Sequence, residues 1–225
     1  YNKVDKAYQL VEKMQQGTNI ALITDAGTPG ISDPGEDLVR ICYEQGIEVT
    51  SLPGAAACIT ALTLSGLPTR RFSFEAFLPK EKKERAAVLE ELKNDTRTLI
   101  VYEAPHHLLG TLKELQNALG NRRLTVCREL TKKFETAFQT TFSEAIRYYE
   151  EQGVRGECVL VIEGRSREEL VQEAQQSWEA ISVEEHMEHY LSTGMDRKSA
   201  MKQVAKDRGV GKREIYQMLL KAENE

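Results

Sequence analysis

The sequence predicts an α/β fold, because short apolar runs alternate with amphipathic segments of helical length along most of the chain. Two loops rich in glycine and proline interrupt this alternation early, at 25–35 and 53–54, and each follows an apolar run. In α/β proteins, loops at the carboxyl ends of strands commonly bind ligands. At 225 residues, with 40% hydrophobic and 29% charged residues, the chain has the composition of a folded globular protein.

The first third of the chain predicts a strand and a helix, each occurring twice. An amphipathic pattern (Ala7, Leu10, Val11, Met14) predicts a helix already under way near the first residue, so we expect upstream sequence to be missing. Asp33 is the predicted N-cap of the next helix, with Pro34 at its first position. The elements expected before residue 68 are a strand at 20–23, a helix from 34 to about 45, a strand at 47–52 and a helix at 55–64.

The later elements continue this alternation and then become purely helical. Strands are predicted at 72–77, 98–102, 124–128 and 158–163, and helices at 81–93, 107–119 and 143–151. Three short helices at 183–191, 197–207 and 212–220 resemble a helix-turn-helix unit. The expected organisation is an incomplete α/β subdomain (1–70), a second α/β subdomain (71–165), a connector (166–181) and a C-terminal helical unit (182–225). A cleft between the two subdomains is the expected ligand site.

The charge distribution favours one local basic surface. The net charge of -5 excludes a polycation, so any contact with nucleic acid must come from a local patch. Basic residues outnumber acidic ones between Met195 and Lys221, and three lysines recur there at intervals of four. We interpret five of the basic residues in this segment as RNA-binding candidates: Lys198, Lys202, Lys206, Lys212 and Arg213. A solvated helix face is the alternative interpretation.

Cysteine and histidine spacing argues against a metal site. The four cysteines, at 42, 58, 127 and 158, form no CxxC pair and are expected to be reduced core residues. His186 and His189 are placed on a predicted surface helix, and the remaining two histidines are adjacent, so no metal is expected. No apolar run approaches the roughly 20 residues that a membrane span requires, and no signal-peptide pattern opens the chain, which predicts a cytoplasmic location.

The two early loops are the strongest candidates for ligand binding. Neither contains GxGxxG or GxxxxGK[ST], so a dinucleotide fingerprint and a phosphate-binding P-loop are both unsupported. Two such loops at the ends of successive strands would meet at one edge of a parallel sheet. An elaborate turn and tight helix packing are the alternative explanations.

Several segments resemble those of one known family. They are, in chain order, Asp25-Ala26-Gly27-Thr28-Pro29-Gly30-Ile31-Ser32-Asp33-Pro34-Gly35, Leu52-Pro53-Gly54-Ala55, Ser65-Gly66-Leu67-Pro68, Phe77-Leu78-Pro79, Tyr102-Glu103-Ala104-Pro105-His106, Arg128-Glu129-Leu130-Thr131-Lys132 and Arg155-Gly156-Glu157. From about residue 15 onward, the sequence resembles the tetrapyrrole methylase superfamily and its branch of small-subunit ribosomal RNA ribose methyltransferases. The family's opening strand, with its first cofactor loop, has no counterpart here.

This resemblance implies two α/β subdomains that hold S-adenosylmethionine between them. It implies methylation of a cytidine ribose 2'-hydroxyl in small-subunit (16S) ribosomal RNA, by a homodimer that acts on this RNA or on the 30S subunit. The implied cofactor-binding residues are Asp25, Ala26, Gly27, Thr28, Ile31, Ser32, Pro53, Gly54, Ala55, Ala56, Phe77, Leu78, Glu157 and Cys158.

Methyl transfer to a ribose oxygen requires alignment of the hydroxyl and removal of its proton. Glu103 is the first candidate for this role. Arg128 and Lys132 are candidates for contacting RNA or, alternatively, for stabilising the developing alkoxide, and His106 is a candidate for contacting RNA. A helix cap or loop anchor is the alternative role for Glu103. Two other functions compete: methylation of a corrin-type tetrapyrrole, and RNA binding without catalysis.

Overall fold

The computed structural model describes residues 3–222, which form five strands and ten helices in a mixed α/β arrangement. The α/β prediction is therefore confirmed. The chain divides into two compact units, Tyr1–Gly164 and Arg165–Glu225. The finer division of the first unit near residue 70 stays a prediction.

Three helices precede the sheet in the first unit: α1 (Lys3–Gln15), α2 (Glu36–Glu44) and α3 (Ala57–Ser65). The apolar stripe of α1 packs on α2, where Ala7 and Val11 meet Ile41 and Cys42 in a small core. Burial of these side chains removes apolar surface from water and fixes the two helices against each other.

The predictions of strands at 20–23 and 47–52 are wrong, since both segments lack regular secondary structure. A strand is stable only when a neighbour accepts and donates its backbone hydrogen bonds, and within residues 3–222 neither segment has one. Apolar side chains of both segments face solvent: Ile23 is 83% exposed and Leu52 is 81% exposed.

Helix α2 begins differently from the prediction. Its N-cap is Gly35 rather than Asp33, and no side chain caps the helix. Gly35 has φ of 152°, and a Cβ there would lie 2.6 Å from the Leu22 Cδ2 atom, so the turn requires glycine. The Asp33 carboxylate instead accepts a hydrogen bond from the Thr24 hydroxyl at 3.0 Å, which ties the two ends of the loop together.

The sheet has the strand order β1-β2-β5-β3-β4. Its strands are β1 (Phe72–Phe77), β2 (Thr98–Glu103), β3 (Arg123–Arg128), β4 (Thr136–Thr141) and β5 (Cys158–Ile162). Only the β1–β2 pair is parallel among these strands, and the other three pairs are antiparallel. Four of these five strands, β1, β2, β3 and β5, were predicted. Strand β4 was not, because its polar threonines and glutamine at the sheet edge give no apolar run.

Helices cover both faces of this sheet. Helices α4 (Lys82–Leu92), α5 (Leu108–Leu119) and α6 (Phe142–Gln152) pack on one face. Helix α3 packs on the other face, which includes Ile100 and Val161. The carbonyl of Ser65, at the end of α3, accepts hydrogen bonds from the side chains of Thr125 and Gln139, so α3 is fastened to β3 and β4.

The second unit consists of four helices: α7 (Arg167–Glu179), α8 (Val183–Ser192), α9 (Arg197–Asp207) and α10 (Lys212–Ala222). Local signals begin three of them, since the Ser166 hydroxyl accepts two backbone hydrogen bonds at the start of α7. Ser182 forms a capping box with Glu185, and Asp196 accepts two backbone hydrogen bonds at the start of α9. A small core that includes Met187, Val204 and Ile215 holds α8, α9 and α10 together.

His186 is fully buried, contrary to its predicted surface position. Its ring stacks on Trp178, with centroids 3.8 Å apart, and its Nδ1 accepts a hydrogen bond from Arg208 at 3.1 Å. The sequence pattern predicted only that its helix lies at the surface. The aromatic partner from α7 is what makes the buried position favourable.

Candidate functional site

The motif segments of the sheet meet at the carboxyl ends of β1, β2 and β3, because the strands pair in a fixed register. Phe77 at the end of β1 lies beside Tyr102 of β2, and Glu103 lies beside Cys158. Cys158 in turn lies beside Arg128 at the end of β3. Residues far apart in sequence thus lie side by side on neighbouring strands, and alternation along β2 turns Tyr102 towards α3 and Glu103 towards α5.

The two glycine-rich loops of the first unit are in direct contact. The Thr28 hydroxyl donates a hydrogen bond to the Ala55 carbonyl at 3.0 Å. A Cβ at Gly27 would lie 3.3 Å from the Ala55 oxygen, and a Cβ at Gly54 would lie 3.1 Å from the Thr28 Oγ1 atom. Glycine therefore permits the close approach of the two backbones, and the loops form a cradle of small residues.

Tyr102 connects this cradle to the sheet. Its hydroxyl oxygen accepts the backbone N–H of Cys58 at 2.9 Å, 44 residues away. Its ring makes edge contacts with Phe74 and Phe77, at centroid distances of 4.9 and 5.7 Å. Burial raises the pKa of Tyr102 to about 12, so the phenol is neutral at physiological pH.

Most predicted cofactor-binding residues are accessible to a ligand. Exposed residues in this set are Asp25, Ala26, Gly27, Ile31, Ser32, Pro53, Gly54, Ala55, Phe77 and Glu157. Thr28 and Ala56 are half-buried, whereas Leu78 and Cys158 are buried. A groove of about 630 Å³ beside α2 shares Thr28 and Ile31 with this set.

Glu103 is a buried carboxylate with both oxygens engaged. Oε1 accepts the N–H of Ala104 at 2.8 Å, and Oε2 accepts the hydroxyl of Thr111 at 2.6 Å. Thr111 also accepts a hydrogen bond from Arg85, at 2.7 Å, which extends the network to α4. These contacts anchor α5 to the end of β2. A catalytic role for Glu103 stays a prediction.

Arg128 and Lys132 have different surroundings. The Arg128 Nε atom is buried and has no hydrogen-bond partner within the part of the chain that the structure describes. Lys132, in contrast, contacts the carboxylates of Glu129 at 3.2 Å and Glu157 at 2.8 Å. Glu157 first, and Glu129 second, raise the pKa of the Lys132 amine. The sheet edge therefore offers one partly unpaired cation and one cation already neutralised.

The turn after β3 is locked in a strained backbone conformation. Glu129 has φ of 51° and Thr131 has φ of 64°, values that L-residues seldom adopt. The Glu129 carboxylate accepts the N–H of Glu157 at 2.9 Å, and a Cβ at Gly156 would lie 2.4 Å from the Glu129 Cγ atom. Strain of this kind is retained when surrounding contacts hold it, and such places are often functional.

The predicted RNA contacts fall in both units. His106 is exposed at the end of β2, with its ring 4.1 Å from that of His107. In the second unit, three exposed lysines lie on α9 and two exposed basic residues begin α10: Lys198, Lys202, Lys206, Lys212 and Arg213. None of these five forms an ion pair with another residue between 3 and 222.

Membrane-spanning helices and metal-binding clusters are both absent among residues 3–222. No helix within 3–222 combines the length and apolarity that a membrane crossing requires. In the same range, no group of three or more histidine, cysteine or acidic side chains is arranged to hold a metal ion.

Sequence reasoning missed two features of this site. Tyr102 was part of a recognised segment but was assigned no role, although a tyrosine at the end of a buried strand needs a polar partner for its hydroxyl. The β-bulge at Ala76, which has φ of 50°, has no signal in the sequence, because alanine is not a residue that predicts a left-handed conformation.

Known proteins are similar to this chain in sequence and in fold. The family model described as Tetrapyrrole (Corrin/Porphyrin) Methylases matches residues 1–146. Ribosomal RNA small subunit methyltransferase I of Bacillus subtilis (strain 168) is 46% identical over 216 residues, covering 96% of this chain and 74% of its own length. The protein of the same name from Synechocystis sp. is 43% identical over 224 residues, covering 99% and 78%.

Solved structures support the same fold. The methyltransferase CobJ aligns with a TM-score of 0.55 at 20% identity, over 71% of this chain and 70% of its own. Diphthine synthase aligns with a TM-score of 0.54 at 12% identity, over 71% and 65%.

The fold and the site define a methyltransferase. The chain belongs to the tetrapyrrole methylase family, as a relative of the proteins named Ribosomal RNA small subunit methyltransferase I.

Proposed function

We propose that this methyltransferase transfers the methyl group of S-adenosylmethionine to a cytidine ribose 2'-hydroxyl in small-subunit (16S) ribosomal RNA. The relatives that cover nearly the whole chain carry the name of a small-subunit ribosomal RNA methyltransferase. The observation that carries the proposal is the cradle formed where Thr28 and Gly54 meet, because it presents exposed backbone just before α3, which Tyr102 links to the exposed ring of Phe77.

The residues of the cradle suit S-adenosylmethionine. The segments 25–27 and 53–55 expose backbone groups and small side chains, which allow a nucleoside to approach closely and form hydrogen bonds. Phe77 is 55% exposed at the edge of the sheet and offers a face for adenine. Glu157 and Cys158 lie at the same edge, and the Asp25 carboxylate is exposed in the first loop.

The methyl donor supplies an electrophilic methyl group on a positively charged sulfur. The remaining work falls to the protein, which must hold the ribose oxygen in line with that methyl group and stabilise the charge that develops as its proton leaves. We assign the second task to Arg128, whose Nε atom is unpaired among the described residues at the carboxyl end of β3.

Glu103 and Lys132 have supporting roles in this proposal. Glu103 accepts hydrogen bonds from Ala104 and Thr111, and its carboxylate oxygens keep lone pairs with which it would accept a proton in this proposal. Lys132 holds Glu129 and Glu157 together and thereby fixes the strained turn that follows Arg128. Neutralisation of Lys132 by two carboxylates makes it a weaker phosphate ligand than an unpaired lysine.

RNA contacts are assigned to His106 and to the basic face of the second unit. Lys198, Lys202 and Lys206 follow one another by one helical turn each, which gives a row of positive charges about 6 Å apart along α9. This spacing is close to the separation of successive phosphates, so the row suits an RNA backbone. The proposal includes a homodimer in the cytoplasm, where the ribosomal substrate is found.

Isothermal titration of S-adenosylmethionine, and then of its demethylated product S-adenosylhomocysteine, tests the proposed function. The wild-type chain is expected to bind both with micromolar affinity. Pro53→Trp places an indole in the exposed cradle and should abolish binding. Lys83→Trp is the matched control, because it adds the same indole to exposed α4 on the opposite face of the sheet. Failure of the wild-type chain to bind either ligand would overturn the proposal.

A further inference from the structure

The amino end of helix α3 lacks a cap from its own segment. Its N-cap residue, Ala56, has no side chain able to accept a hydrogen bond, and the preceding residues 53–55 are proline, glycine and alanine. The first backbone N–H groups of a helix have no partner within the helix and require one from elsewhere. The Tyr102 hydroxyl oxygen provides it by accepting the N–H of Cys58 at 2.9 Å.

The ring of Tyr102 is held by two phenylalanines of β1. Phe74 and Phe77 are three positions apart, so a regular strand would place them on opposite faces of the sheet. A β-bulge between Phe74 and Ala76 adds one residue, after which Phe77 pairs with Tyr102 and lies on the same face. The bulge places Ala76 in a left-handed backbone conformation with φ of 50°, which is energetically unfavourable for alanine.

Tyr102 is also close to the first glycine-rich loop. Burial is the main cause of its raised pKa, and the negative charge of Asp33 adds to it, which places that carboxylate within electrostatic range of the phenol. Asp33 is held in turn by the Thr24 hydroxyl. The Tyr102 side chain therefore contacts the start of α3 and Phe77, and the Asp33 carboxylate of the first loop acts on it electrostatically.

We propose that Tyr102 is a positioning residue for the methyl-donor site: its hydroxyl holds the amino end of α3, and its ring holds Phe77 on the same face of the sheet. One side chain then holds both Phe77 and the start of α3, which follows residues 53–56, before the ligand arrives. This inference rests on the proposed function, since it assigns a role in binding the same ligand.

Tyr102→Phe tests the inference because it removes one hydroxyl and leaves the ring contacts. The loss of a single hydrogen bond that orders the site is expected to weaken S-adenosylhomocysteine binding by about 3- to 10-fold. At saturating methyl donor, kcat should stay within about 2-fold of the wild-type value, so the change appears in KM. A general loss of stability would not produce this division between KM and kcat.

Tyr148→Phe is the matched control. Tyr148 is 46% exposed, its ring packs on Phe138 at 5.0 Å, and its hydroxyl makes no hydrogen bond to another described residue. Its binding and kinetics should equal those of the wild-type chain. Hydrogen–deuterium exchange gives a readout without ligand: amides at the start of α3 should exchange faster in Tyr102→Phe than in Tyr148→Phe.

The outcomes separate the inference from the proposed function. Absence of binding by the wild-type chain overturns the proposed function, and the inference with it. Normal wild-type binding combined with equal affinities for Tyr102→Phe and Tyr148→Phe overturns the inference alone. Weaker binding by Tyr102→Phe, with faster exchange at α3 and an effect confined to KM, supports it.

Discussion

Lysines at the sheet edge of the first unit and lysines on helix α9 of the second unit use their charge in different ways. Lys132 directs its amine at Glu129 and Glu157 and helps to hold a turn whose backbone is strained. Lys198 and Lys202 project from α9 into solvent and form no ion pair within residues 3–222. In the first unit, the ion pairs of Lys132 hold the turn after β3. In the second unit, the α9 lysines have no ion pair within residues 3–222 and can bind an anionic partner.

This difference predicts how each region should respond to substitution. Changes at the sheet edge should alter stability and the shape of the site. Changes on α9 should leave stability nearly unchanged and should alter RNA affinity in a manner that depends steeply on salt, because phosphate contacts release counterions.

The largest effect is expected for Gly156→Ala. A Cβ there would meet the Glu129 side chain at 2.4 Å, and the residue has φ of 78°. A left-handed backbone costs an L-residue about 1–2 kcal/mol, and overpacking adds roughly 1–3 kcal/mol, so the free energy of unfolding should fall by about 2–5 kcal/mol. Urea denaturation measures the change.

Gly153→Ala is the control for this experiment. Gly153 has φ of 67°, but a Cβ there would meet nothing within 4 Å, so only the backbone cost remains. Equal losses of stability in the two variants would show that the Glu129 contact is unimportant. This result would contradict the interpretation that the contact makes the turn rigid.

The next effect concerns RNA affinity. Replacement of Lys198, Lys202 and Lys206 by glutamine should weaken binding to small-subunit RNA by about 10- to 100-fold at low salt. The slope of log affinity against log salt should also fall in magnitude by about 2 to 3. Fluorescence anisotropy over a range of salt concentrations gives both numbers.

A variant with the same net charge controls for nonspecific attraction. Lys6, Lys13 and Lys83 are exposed on helices of the first unit, and their replacement by glutamine removes an equal charge. If this triple variant loses as much affinity as the α9 variant, attraction of RNA is a property of the total charge rather than of the α9 face.

A smaller effect is expected from pH, through the buried His186. Burial, followed by the positive charge of Arg208, lowers the pKa of His186, while Asp207, whose Oδ2 lies 3.5 Å from Nε2, opposes this shift and His189 adds to it. The unfolded state therefore binds the proton more readily, so stability of the second unit should decrease as pH falls below about 6.5.

The decrease should not exceed about 1.4 kcal/mol per pH unit for one group. Thermal unfolding between pH 7.5 and 5.5 measures it, with His186→Gln expected to flatten the dependence and His189→Gln, which removes only the last of these contributions, to reduce it slightly. A wild-type protein equally stable at both pH values would contradict this interpretation.

The smallest effect is expected for Ser182→Ala. Its hydroxyl accepts the N–H of Glu185 at 3.1 Å and completes the capping box of α8, so its loss should cost about 1 kcal/mol. Ser192→Ala removes a hydroxyl at the other end of the same helix and should cost less. Calorimetry of both variants tests whether this local cap carries the stability assigned to it.

Local signals explain which parts of the fold the sequence predicts. The start of α8 at Ser182 and the start of α9 at Asp196 depend on side chains within three residues, and both helices were predicted within one residue of their observed bounds. Strands β1, β2, β3 and β5 were also predicted from a local signal, because each is a short apolar run. The predicted strands at 20–23 and 47–52 are absent because a strand also needs a neighbour, which a local apolar run does not provide.

The site depends more on contacts between distant residues. The bond from Cys58 to Tyr102 spans 44 positions, and the bond from Glu157 to Glu129 spans 28. Neither leaves a periodic signal in the sequence, so pattern reasoning alone does not find them. Motif resemblance named most of the segments that meet at the sheet edge, but not which side chains hold them there.

The most direct test of the proposed function is methyl transfer itself. Small-subunit ribosomal RNA is incubated with the chain and tritiated S-adenosylmethionine, and the product is hydrolysed in alkali. Methylation of a ribose 2'-oxygen blocks cleavage at the adjacent phosphodiester, so the label should appear in alkali-resistant dinucleotides that contain cytidine. Label in mononucleotides would mean that a base is the acceptor, and no label in RNA would contradict the proposed function.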